Sequence, residues 1–415
     1  MTAAPEPAHL VARTRRLDGE ADLLAVAGAD GVLFEQAGSG LAGRGEALRL
    51  ALPVGPGRLA VAADEVAAAL AAIECDDQVG LPGCGAVAFA ALPFRDETPG
   101  SVVIPSVVVG RADDGTRWVT TVGPADHIGT PDLTPRPRPA TSPTTYTITS
   151  SRPPGEWCES VAAAVARIQA GHLEKAVFAR EVVVEADAPI DVVDVLERLR
   201  AAYPSTMRYS VDGLVGATPE LLVSRFGDVV RSHPFAGTTP RTGVPETDAR
   251  AAAALLASAK EREEHQITID MVLDAVLPFC SYVDSEPEPT IVSLANVQHL
   301  ATLVEGRLSS PPASVLALVA ALHPTPAICG WPTGAALDLI AELEGLDRGR
   351  YAGAVGWVDR DGDGRFGVTI RCAEIDGRRA RLFAGMGIVA DSDPATELAE
   401  TRAKLQAMLG AVVRP

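Results

Sequence analysis

The sequence predicts a chain of mixed α and β structure whose strands pair antiparallel. Three observations carry this. Strand-like runs are joined by hairpin turn signals such as Asp113-Asp114-Gly115 and Asp376-Gly377. Segments with one apolar helical face lie between them, among them Glu156–Ala170, where Trp157, Val161, Ala164 and Ile168 recur at helical spacing. The 415 residues are 47% hydrophobic, enough to bury a large core in one large domain or two or three smaller ones.

Taken in order, residues 1–16 read as a loose tail. Strand-like runs follow at Leu23–Ala27, Gly31–Glu35, Ala47–Leu52 and Gly85–Ala91, with a helix at Ala62–Ile73. Val102–Val109 and Trp118–Val122 are further strands. Gly38 to Gly43 matches G-x-G-x-x-G, but Pro53 and Gly55 come too soon for the helix that a dinucleotide fingerprint needs. A hairpin turn is the better reading. Residues 131–143 hold five prolines, and 131–145 is read as a linker between a strand-rich half, 17–130, and a region carrying the chemistry, 146–412.

After the helix ending near Gly171 comes LEKAVFAREVVVEA, a strong strand. Lys175 alternates in register with Val177 and Ala179, and apolar neighbours lower a lysine's pKa towards usefulness as a base. Leu214–Arg225 reads as a strand with Glu220 inside it, where burial would raise the carboxyl and let it act as an acid. HPFAGTTPR, from His233 to Arg241, is read as a loop whose Gly237-Thr238 offers donors. One long helix, Glu246–Leu277, carries Glu263, Glu264 and His265 in a charged run. Asn296–Val304 places His299 in an apolar strand. His323 to Gly330 is a loop forced by two prolines, ahead of a helix at Thr333–Glu344, and Tyr351–Val358 is a strand. Asp359 to Gly364 copies the start of an EF-hand loop, yet its twelfth position is Ile370 and strands flank it, so it reads as a hairpin turn.

The C-terminal stretch is the densest. Thr369–Ile375 and Arg381–Val389 are strands, the second containing Gly385 and Gly387, which mark a close approach by a ligand or another backbone. Asp393 caps a helix that Pro394 opens. On it Glu397, Glu400 and Lys404 share one face. Taken alone, such a group is commonly an ordinary solvated ion pair.

A net charge of −18 argues against a nucleic-acid or anionic-membrane surface, and means that local cations must attract an anionic ligand. The six cysteines show no CxxC spacing, so neither a zinc site nor a redox motif is indicated. The N-terminus lacks a signal-peptide h-region, and no run of 18 uncharged apolar residues exists. A soluble, cytoplasmic protein is expected.

Together these segments resemble the chorismate-utilising enzymes, and among them the isochorismate synthases. The resemblance covers about residues 155–410 through LEKAVFAR, GATPELL, PFAGTTPR, KEREEH, VQHL, HPTPAICG, YAGAVGW, TIRC, LFAGMGIV and ETRAK. It implies an α+β fold of large, mostly antiparallel sheets packed face to face, helices outside and the active site in the cleft between them. It implies magnesium-dependent conversion of chorismate to isochorismate, by water addition at C2 and loss of the C4 hydroxyl. Lys175 matches the general base and Glu220 the general acid. Glu264 and Glu400 match metal ligands, with Glu397 and Glu263 as helpers. Arg371 and Tyr351 match holders of the enolpyruvyl carboxylate. Gly237, Thr238, Gly385, Gly387 and Lys404 match the rest of the cradle, and His299 a ring-side histidine. Relatives that aminate chorismate in general lack the lysine, so no glutaminase partner is expected. Salicylate synthases, the alternative, typically carry a hydroxyl residue where this chain has Ala327 or Ile328. A non-catalytic chorismate-binding subunit is a third reading, and it predicts loss of residues that are all present. A monomer is expected, and menaquinone, siderophore and other uses of the product stay open.

Overall fold

Turn chemistry sets the strand pairing. The computed structural model describes residues 9–126, 128–295 and 297–413, and their strands form sheets of 13, 9 and 3 strands. The pairing is antiparallel, apart from Leu10–Arg16 running parallel to Glu74–Asp77. Val32–Gln36 and Ser39–Arg44 join through Ala37 and Gly38, both at positive φ as a tight hairpin turn of this kind requires. The glycine-rich match at 38–43 is this hairpin. The acidic turn at 359–364 likewise joins two paired strands, Ala354–Asp359 and Gly364–Val368.

Several expectations need correcting. Residues 1–8 of the supposed tail lie outside the described residues, but Leu10–Arg16 is a strand of the largest sheet. Leu23–Ala27 is a short helix, because the Asp22 side chain accepts from Leu24 N and caps it. Val102–Val109 is two strands, Ser101–Ile104 and Val107–Arg111, interrupted at Pro105. The long helix breaks at Ser258 into Pro245–Ala257 and α1 (Ala259–Val276), since the Ser258 hydroxyl accepts from Glu261 N and starts a new helix. The supposed loop around Gly237 is the strand Phe235–Pro240, bulged between Ala236 and Thr238 with Gly237 at φ 72°. Tyr351 precedes its strand, and Arg371, at φ 51°, lies in the kink ahead of Cys372–Asp376. Asn296 lies outside the described residues, and the strand there is Val297–Ala301.

The segment carrying Glu220 is corrected most. It is two strands, Leu214–Thr218 in the 13-stranded sheet and Leu221–Phe226 in the 9-stranded one. Pro219 cannot donate to a ladder, so the chain leaves one sheet there and enters the next. Glu220 occupies the crossing.

Both large sheets take strands from either side of the proline-rich segment. Val32–Gln36 pairs with Met207–Val211 in one, and Val87–Leu92 with Ala354–Asp359 in the other. The proline-rich residues are themselves pinned: Arg44 donates to the Thr134 carbonyl at 2.8 Å and Arg138 pairs with Asp191 at 2.7 Å. One core holds Phe34 and Leu41 of the first sheet with Phe89 and Phe366 of the second. A second core packs the helix Val192–Ala202 and α2 (Pro394–Val412) on the largest sheet through Leu196, Leu199, Leu405 and Met408 against Val184 and Leu382. Each such fully buried side chain contributes about 1.5–3 kcal/mol relative to exposure. No helix among the described residues is long and apolar enough to cross a membrane.

Candidate active site

Two adjacent strands of the largest sheet, β1 (Lys175–Ala186) and β2 (Arg379–Ile388), form one wall of a cavity of about 230 Å³. The bulged strand Phe235–Pro240 and its partner Val297–Ala301 form another. The helices α1 and α2 also contribute lining residues. Every residue singled out from the sequence as catalytic, metal-binding or substrate-binding lines this cavity except Glu263. Glu263 is exposed on the outer side of α1, and Glu261 takes its place. The signal was available: Glu261 and Glu264 stand at i and i+3, one helical face, whereas Glu263 is a quarter-turn away.

Lys175 opens β1 and is buried; its backbone pairs with Trp331 on one side, and the next residue, Ala176, pairs with Ile388 of β2 on the other. Its Nζ lies 2.5 Å from Glu264 Oε1. Burial pushes the Glu264 carboxyl up, but Lys175 outweighs this and holds it below the usual range. The two strand glycines admit side chains rather than backbone. A methyl at Gly387 would stand 2.9 Å from Lys175 Cε, and one at Gly385 2.8 Å from the Tyr351 hydroxyl. The Tyr351 ring stacks on Phe383 at 5.1 Å, which fixes where that hydroxyl points.

Glu220 is buried at the sheet crossing, and desolvation pushes its carboxyl up to about 8, against the smaller pull of a Phe235 backbone hydrogen bond and of Lys175. At neutral pH it is an acid that holds its proton. His299 is buried too. Desolvation, then Arg371 and Lys404, push it down to about 3, so it is neutral. Its Nδ1 lies 3.0 Å from Thr238 Oγ1. Arg371 is half-buried, makes no ion pair among the described residues and donates only to the Lys404 carbonyl, at 3.3 Å. The Lys404 ammonium reaches the Gly385 carbonyl at 3.1 Å and Glu400 Oε1 at 3.2 Å. A cavity so lined can take an anion at the Arg371–Tyr351 end.

The other end suits a hard cation. Glu261 and Glu264 of α1 face Glu397 and Glu400 of α2. Burial and then Glu264 raise the Glu261 carboxyl; burial raises Glu397, with Glu400 adding to it. Glu400 Oε1 is buried and, beyond its ion pair with the Lys404 ammonium at 3.2 Å, has no hydrogen-bond partner among the described residues. No tight cage of three or more ligand side chains is preformed among the described residues. The all-oxygen donors fit magnesium, which keeps several waters and takes few protein ligands.

A family model described as chorismate binding enzyme matches residues 32–413. A Mycobacterium tuberculosis protein, provisionally named isochorismate synthase MenF, is 41% identical over 345 residues, 80% of this chain and 87% of that protein. The Bacillus subtilis isochorismate synthase DhbC is 41% identical over 279 residues, 65% of this chain and 70% of that one. Among solved structures, the Bacillus anthracis DhbC, provisionally described as a 2,3-dihydroxybenzoate-specific isochorismate synthase, superposes with a TM-score of 0.79 at 31% identity over 94% of this chain and 98% of that one.

Proposed function

This chain belongs to the chorismate-binding enzyme family, and from that premise we propose that it is an isochorismate synthase, converting chorismate to isochorismate by adding water at C2 and expelling the C4 hydroxyl. One observation carries the reading: a buried, protonated Glu220 and a buried Lys175 line the same cavity.

Water is a poor nucleophile and hydroxide a poor leaving group, so the exchange needs a base and an acid together. In its neutral form Lys175 Nζ takes the water's proton, and the Glu264 carboxylate beside it stabilises the ammonium that results. Glu220 gives its proton to the departing hydroxyl. Arg371, freed of carboxylate partners, and the Tyr351 hydroxyl hold the enolpyruvyl carboxylate. Thr238, His299 and Lys404 border the ring, and Gly385 and Gly387 leave it room. Magnesium, held by Glu264 and Glu400 with Glu397 and Glu261 alongside, would neutralise the ring carboxylate. Ala327 and Ile328 line the cavity without a hydroxyl, which favours release at isochorismate over onward elimination of pyruvate.

The test is product analysis by chromatography after incubation with chorismate and magnesium, with and without EDTA. Isochorismate in equilibrium with chorismate, lost on chelation and abolished in Lys175→Ala, is expected. Enzyme-dependent salicylate and pyruvate would move the assignment to a salicylate synthase. No conversion would leave a binding subunit.

A further inference from the structure

We propose that Arg180, acting through Thr401, is a positioning residue that sets the pose of α2 and so the placement of its carboxylates for the metal; this rests on the reading of the site given above. Arg180 lies five residues along β1 from Lys175, and an odd step along a strand turns its side chain to the opposite face. There it is buried, with no carboxylate partner among the described residues. Its Nη1 donates to Thr401 Oγ1 at 2.9 Å and its Nη2 to Ser150 Oγ at 3.3 Å, while the guanidinium sits 5.8 Å from the Trp157 ring centre.

Burying an unpaired charge is costly, and an apolar side chain of similar volume would pack there at less expense. Stability is therefore a poor reason for an arginine at this point. Direction is a better one. Thr401 is wholly buried, and its hydroxyl donates to the Leu398 carbonyl at 2.8 Å. That leaves the oxygen's acceptor side for Arg180. The chain Arg180–Thr401–Leu398 thus runs from the strand bearing the base into the one helical turn that holds Glu397 and Glu400. A threonine bonded back to the preceding turn bends a helix slightly, so the link also governs local helix geometry. Rotation of that turn by a fraction of a residue would carry both carboxylates off the cavity.

The experiment titrates Mg2+ into the full-length protein by calorimetry, with chorismate present, and measures melting temperature and turnover in parallel. Thr401→Val keeps shape and removes the hydroxyl. Its Mg2+ affinity should fall about tenfold, within the range that outer-shell partners of a metal site command. Thr401→Ser should restore it to within about threefold. Arg180→Met should weaken Mg2+ to a similar degree while the melting temperature holds or rises, a result a purely structural arginine would not give. Wild-type affinity in Thr401→Val, or equal weakening in the valine and serine variants, would overturn the proposal while leaving the enzyme assignment intact. A wild-type protein that neither binds Mg2+ nor turns over chorismate would remove the reading beneath it.

Discussion

Glu220 owes its proton to a crossing. Because the chain changes sheets at Pro219, the next side chain lands where two sheets and the bulged strand exclude water, and burial raises its carboxyl to about 8 from an ordinary 4.5. Two consequences follow with defined signs. Turnover needs the protonated form, so activity should decline as pH rises through about 8. Glu220→Gln should cost roughly 10²–10⁴-fold in turnover. The folded state also binds this proton more tightly than the unfolded chain. Its stabilising effect is therefore complete below the unfolded value and is lost as pH rises through about 8. Glu220→Gln cannot titrate, so urea melts should show it gaining on the wild type between pH 5 and pH 9; identical pH dependences would sink the assignment. Lys175, Glu220, Gly385 and Gly387 stand out on local pattern, whereas the roles of Glu264, Glu400, Arg371 and Tyr351 come from the family resemblance. Glu263, which the resemblance implies as a helper, stands a quarter-turn off the face that Glu261 and Glu264 share.

At the scale of elements, the base-bearing strand is clamped from behind. Arg348 donates to the Val177 carbonyl at 2.6 Å and to the Ile328 carbonyl at 3.0 Å, and Glu344 Oε2 accepts from Ala179 N at 2.7 Å. Arg348 and Glu344 pair at 2.6 Å and are each 1% exposed. β1, the helix Thr333–Leu343 and the loop carrying Ala327 and Ile328 are tied by this one pair. Arg348→Ala leaves a buried carboxylate unpaired and should cost about 3–5 kcal/mol in chemical denaturation. The double variant Arg348→Met/Glu344→Leu should recover much of that; if it were as unstable as the single one, packing and not charge would be responsible. Such long-range clamps have no sequence signature. Element type was clear where periodicity ran long, as in β1 and α2. It failed for Leu23–Ala27, where five apolar residues fit a strand or a capped helix equally, and at Ser258, whose hydroxyl starts a second helix inside a continuous helical pattern.

For the whole molecule, the seam between the two halves of the chain is itself buried. Arg208 Nε and Glu35 Oε1 meet at 3.0 Å, 2% and 4% exposed, on the paired strands Met207–Val211 and Val32–Gln36. Glu35→Ala should destabilise by about 3–5 kcal/mol, since it strands a buried guanidinium. Because both large sheets interleave the halves, unfolding followed by tryptophan fluorescence and by far-ultraviolet dichroism should coincide; two separated transitions would contradict a shared core. The proline-rich run 131–145 was visible in sequence, but the strand exchange across it was not, because the partners are set by contacts more than a hundred residues apart.

That interleaving bears on how the protein is made. Val87–Leu92 emerges from the ribosome early, yet its edge partner Ala354–Asp359 is translated about 260 residues later. At typical elongation rates the interval is on the order of 10–50 s. Throughout it, the nascent amino-terminal half carries an apolar strand with an open edge, the form of surface that invites pairing with other chains. Slower synthesis between residues 92 and 354 is therefore expected to lower the yield of soluble protein, with the stability of the finished fold unchanged.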